Sequence, residues 1–211
     1  MSTERKIKPV KNNQDKSNTY SYYKSQLNKA IKYEFYLEAI MIEYAMMEDR
    51  LRSFIYHIGG LANRNSTKIG SKKTKQEIKD IVSCYKQENE KDNLGITNIS
   101  GKEKIIRCIL RWSLDEDKEI TGNNYLKTLN NQLHERIDTN QFFILLDDVD
   151  EWCSYRNELV HALMNKNTDS IQEKIADQAN LGRELAEKLS AEERKIKFHQ
   201  KVRKAANLQT E

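Results

Sequence analysis

Three side chains with complementary chemistry fall within one short stretch, Arg156-Asn157-Glu158-Leu159-Val160-His161. An arginine guanidinium keeps its proton at any ordinary pH, so Arg156 is a fixed charge with a fork of donors suited to phosphate. An imidazole titrates near neutral pH and exchanges a proton, which is the role open to His161. Asn157 has no acid–base chemistry; its amide can hold an imidazole tautomer or donate to a phosphate oxygen. Residues four apart in a helix stack one turn apart, so Asn157 and His161 share a face and Arg156 lies beside them. A phosphate-binding charge and a proton-exchanging group, with no strong metal cluster beside them, suit cleavage of RNA by its own 2′-hydroxyl. The products of that reaction are a 2′,3′-cyclic phosphate and a free 5′-hydroxyl. DNA lacks the attacking group.

A helix must carry these residues. Phe142, Leu145, Leu146, Val149, Trp152, Leu159, Val160 and Leu163 recur at spacings of three and four. That is the inner stripe of an amphipathic helix, expected over 139–164. Arg156 falls on the stripe, where a charge is costly unless it is paired or faces a ligand. The expected acidic partner is Glu48, at the edge of a second stripe formed by Leu37, Ile40, Met41, Tyr44, Met47, Leu51, Phe54, Ile55 and Ile58. Tyr155 is either a base-stacking aromatic or an aromatic at the edge of the core, and the second reading is preferred. Asp147, Asp150 and Glu151 read as a solvated face rather than a site for a hard cation.

The pattern Arg156-Asn157-Glu158-Leu159-Val160-His161 resembles the signature of HEPN domains, the higher eukaryotes and prokaryotes nucleotide-binding family. The resemblance implies an antiparallel helical bundle with long N-terminal and C-terminal helices. It also implies a metal-independent endoribonuclease in which Arg156, Asn157 and His161 are catalytic. One motif supplies one histidine, and the family's solution is a homodimer with both motifs lining one shared cleft. RNA, tRNA included, is then the substrate. The family further implies a role in abortive infection, antiviral defence or toxin action, with an antitoxin or other defence-system partner.

The rest of the chain fits an all-α protein. Seven glycines and one proline in 211 residues leave few breaks. Residues 1–18 read as a disordered basic arm, 19–190 as the helical domain and 191–211 as a charged helical or disordered tail that projects or packs on a partner. A helical region is expected over 18–58, with Gly59-Gly60 as its stop and with Ser21, Tyr22 and Tyr23 able to begin a separate short helix before the main one; further helices are expected after capping pairs Thr74/Glu77, Ser100/Glu103 and Ser170/Glu173. Residues 165–167 read as a turn and 89–100 as a loop. Leu181, with Ile175, Leu185 and Leu189, is expected to face inward.

The charge is +4, from 36 basic and 32 acidic residues. Basic runs lie at 5–11, 64–79 and 194–204; each taken alone reads as a solvated face. Three cysteines and four histidines are too dispersed for zinc or a disulfide framework. There is no glycine-rich phosphate loop, which disfavours a nucleotide-hydrolysing site, and no apolar segment of membrane-spanning length; no cofactor is expected. A soluble cytoplasmic protein is expected. Two readings compete with the ribonuclease: a module that binds RNA or nucleotides without cleaving, and a helical interaction scaffold in which Arg156 pairs with Glu48 in the core.

Overall fold

The computed structural model describes residues 13–88, 94–163, 165, 168–197 and 200–208. The chain is all-α: α1 (Asn13–Lys32), α2 (Tyr36–His57), α3 (Lys72–Tyr85), α4 (Ile99–Leu114), α5 (Asn124–Arg136), α6 (Thr139–Ala162), α7 (Thr168–Lys197) and α8 (Gln200–Ala205). Among the described residues there is no strand, only an isolated antiparallel bridge between Leu61 and Ile69.

Long helices at the two ends of the chain frame the bundle. α2 and α7 pack along most of their length, with Ser53 bonded to Glu193 at 2.7 Å. α1 runs against α7, since Tyr20 meets Ser190 and Lys24 meets Glu187. α6 is antiparallel to α2. The Phe54 ring lies 5.0 Å from that of Phe142 at one end, and Arg156 stacks on Tyr44 towards the other. Trp152 fills the junction of α2, α6 and α7, almost fully buried, with its indole N–H donating to the Gln178 carbonyl at 2.8 Å. A Cβ at Gly182 would lie 2.7 Å from the Trp152 ring and closer still to the Glu43 carboxylate, so α7 needs a glycine there.

Several boundaries differ from the sequence expectation. The helical region over 18–58 is two helices, the first not a short one at Ser21–Tyr23 but α1 in full, with the break at Tyr33–Phe35. Glu34 takes the left-handed conformation (φ 61°), Phe35 N–H donates to the Ala30 carbonyl and Glu34 N–H to that of Ile31. This is a Schellman stop with glutamate at the position glycine usually holds. Gly59 (φ 85°) closes α2 with the same bonds, to Ile55 and Tyr56, and Asn207 (φ 55°) closes α8.

Residues 13–18 belong to α1, not to a disordered arm; their turn is tied to α2 by Lys16–Asp49 at 2.8 Å. Residues 1–12 lie outside the described residues. The caps also move: Ser71 and Asn98, not Thr74 and Ser100, accept the first helical N–H groups of α3 and α4. α7 begins at Thr168, before Ser170. Of the turn at 165–167 only Asn165 is described, and residues 89–93 of the expected loop lie outside the description.

Within the charged tail expected over 191–211, the described residues 191–197 and 200–208 do not project. Glu193, Ile196, Val202, Arg203 and Ala206 are buried against the bundle. Its anchor is Arg203, whose guanidinium donates to the carbonyls of Tyr56, Leu61 and Ala62 and lies 3.6 Å from the Tyr56 ring centre. No described helix is long and apolar enough to cross a membrane.

Candidate functional site

α6 carries the motif because Asp138 caps its start, accepting from Gln141 N–H at 3.0 Å, and the stripe from Phe142 to Trp152 drives its first half into the core. In its last two turns the burial thins to Leu159 and Ala162. Leu159 stays buried, while Val160 and Leu163, expected inside, are 38% and 37% exposed. On α2 the same end is also uncovered: Leu37 and Met41, placed on the inner stripe by spacing, are 36% and 45% exposed. Leu181 of α7 is exposed too. Arg156 is half-buried, and Asn157 and His161 are exposed.

Arg156 reaches from α6 to α2. Its guanidinium carbon sits 4.4 Å from the centre of the Tyr44 ring, an arrangement in which the ring's negative face attracts the cation. Nη1 donates to Asn157 Oδ1 at 3.1 Å and Nη2 contacts the Met41 sulfur at 3.4 Å. Nε is buried with no acceptor. Among the described residues Arg156 makes no ion pair with a carboxylate. Because arginine only donates, the Asn157 oxygen must face it, and the Asn157 NH₂ is left to donate elsewhere. His161 follows one turn after Asn157, in the last turn of α6.

The expected pairing of Arg156 with Glu48 does not form. Glu48 accepts from Lys102 Nζ at 2.9 Å and from Arg52 at 3.0 Å. Lys102 is fully buried on α4 and also donates to the Asn98 carbonyl at 3.0 Å. Burial pushes its ammonium below the usual lysine value, and the Glu48 hydrogen bond draws it back. The signal for this pair was present: Lys102 lies on the stripe of Ile105, Ile106 and Ile109. Tyr155 is half-buried and packed against the core, and burial pushes its phenol up. The aromatic that meets Arg156 is instead Tyr44, whose phenol burial also raises, with Arg156 opposing. The spacing placed Tyr44 on an inner stripe but carried no information on which helix it would face.

One neighbouring acid and the thiol are pushed towards their protonated forms. Burial, then Asp150, pushes Glu103 up to about 8, and burial with Glu103 and Asp150 pushes the Cys153 thiol up to about 12. Cys153, one turn before Asn157, is therefore no thiolate nucleophile. Asp147 is paired with Arg107 at 2.6 Å. Among the described residues no group of three His, Cys, Asp or Glu side chains is arranged to hold a metal ion. Compared with family models, curated proteins and solved structures, the chain matches none.

Proposed function

We propose that the protein is a metal-independent endoribonuclease whose active residues are Arg156, Asn157 and His161. The observation that carries the reading is the state of Arg156: a cation held on Tyr44, with no carboxylate partner among the described residues, beside an exposed amide and an exposed imidazole. A purely structural Arg156 called for Glu48, and Glu48 is committed to Lys102 and Arg52. In this reading Arg156 and the Asn157 NH₂ hold the scissile phosphate, where preorganised donors favour the charge that grows in the transition state. His161 exchanges a proton with the attacking or the leaving oxygen.

The reaction needs both a base and an acid, and one chain offers one motif histidine. A homodimer completes the pair. Its support is the apolar rim of Leu37, Met41, Val160 and Leu163 at the end of the bundle where Arg156 bridges α6 and α2. The resemblance of the motif extends the proposal to a defence or toxin-like role acting on RNA such as tRNA.

The test is incubation of purified protein with total RNA and tRNA in EDTA, beside His161→Ala, with mapping of product ends. Cyclic-phosphate and 5′-hydroxyl ends are expected, with cleavage reduced about 10²–10⁴-fold in the variant. Cleavage unchanged by the substitution refutes the assignment. RNA binding without cyclic ends supports a phosphate-holding module instead.

A further inference from the structure

A second cation cluster lies on the opposite face of α2. Helix geometry advances about 100° per residue, which sets Met46, Arg50 and Ser53 across the helix from Met41 and Tyr44. The first three line a cleft of about 640 Å³ between α1, α2 and α7. Such a volume is that of a site for a small organic molecule.

Five cations line the cleft: Lys16 and Lys24 from α1, Arg50 from α2, Arg64 from the loop after it, and Arg194 from α7. Two lining carboxylates, Glu187 and Glu193, oppose them, and Asp49 lies against Lys16 and Arg50 at 2.8 and 3.3 Å. The cations remain in excess.

The cleft is also preorganised. Arg50 is clamped, its guanidinium 4.0 Å from the Tyr20 ring centre and Nη1 3.3 Å from Glu193, while its Nε is buried with no acceptor. Glu193 is fixed in turn: burial raises its carboxyl, but bonds from His57 and Ser53, with Arg50, reverse this and hold it down at about 2. Burial pushes the Lys16 ammonium down, and Arg50 and Arg64 push it the same way while Asp49 resists. An anion between them would relieve that repulsion. Ser17 and Ser21, exposed and one turn apart on α1, add hydroxyl donors.

We propose that this cleft binds a small phosphorylated anion, a phosphate monoester or polyphosphate, at a site separate from Arg156. Many converging cationic and hydroxyl donors suit a compact group with several charged oxygens. The concave shape, bridged by the Lys24–Glu187 pair at 3.3 Å, suits a small molecule rather than a duplex.

The test uses pyrophosphate as probe and calorimetric titration of the full chain carrying Arg156→Ala, so that the α6 site is silent. Saturable binding at one site per chain is expected, weakening with added salt. Adding Lys16→Gln and Arg194→Gln is expected to weaken it about tenfold or more. The charge-keeping pair Lys16→Arg and Arg194→Lys is expected to retain it, which separates lost charge from lost fold. No saturation at millimolar pyrophosphate overturns the proposal, as does binding that the double glutamine change leaves intact.

Discussion

Arg203 and Arg156 each lie over a tyrosine ring, and they could hardly be used more differently. Arg203 is 3% exposed, and its donors go to three backbone carbonyls of the segment that follows and closes α2. Every one of those contacts is internal and fixed. Arg156 is half-buried, and its contacts are a ring, a thioether and the amide next to it. A sulfur is a weak acceptor, and the ring attracts only through its quadrupole. The first arginine gives both terminal nitrogens to backbone carbonyls; the second is positioned by weaker partners and left to meet something else. Burial of a charge is tolerable where its donors are filled, and a charge with weak partners at the surface marks a place where a stronger acceptor can bind.

Substitutions can break or sharpen this contrast. The largest effect is expected from Arg203→Ala, which leaves several buried carbonyls without a donor; a loss of about 3 kcal/mol in denaturant unfolding is expected. If Arg203→Ala leaves stability unchanged, the carbonyl-bonded half of the comparison fails.

Next comes Glu43, fully buried between α2 and α7 with neither oxygen hydrogen-bonded. Burial pushes its carboxyl up to about 8, from 4.5, with Arg183 opposing. The folded state then keeps a proton that the unfolded state releases. The contribution of this group is fully present below about pH 4.5 and is lost as pH rises towards 8. Unfolding free energy should decline over that window, and Glu43→Gln should flatten the decline by about 1 kcal/mol or more. Equal slopes in both proteins would show that Glu43 is solvated.

A smaller change is expected at the apolar rim. Val160→Asp should weaken self-association about tenfold in sedimentation, with the thermal midpoint little changed. The smallest is Arg156→Ala measured for stability alone: under about 1 kcal/mol, the scale of an exposed cation–π contact.

The sequence carried the helices and the motif further than it carried the contacts. The stripe of α6 and the break at Gly59 were legible because apolar spacing and glycine at a left-handed stop are local signals. The break at Glu34 was not, because the residue there is one that seldom takes that conformation. Arg156 was recognisable as a charge on an apolar stripe, but its neighbour depended on how α6 lies against α2. Spacing within a helix says which residues face inward and is silent on the axial offset between two helices, so Glu48 was assigned where Tyr44 stands. The ends of the stripes, Leu37, Met41, Val160 and Leu163, kept the periodicity of a core where the described helices leave them partly uncovered. Arg203 sat in a run of charges, and nothing local distinguishes a buried arginine in such a run from a solvated one.

The most direct test of the central claim is the cleavage rate of Arg156→Ala on RNA, at a denaturant-free temperature where unfolding curves show the variant fully folded. The account predicts a folded protein that no longer cleaves, with Arg156→Lys restoring little because a point charge lacks the fork that grips phosphate. Cleavage at the wild-type rate by folded Arg156→Ala would contradict it.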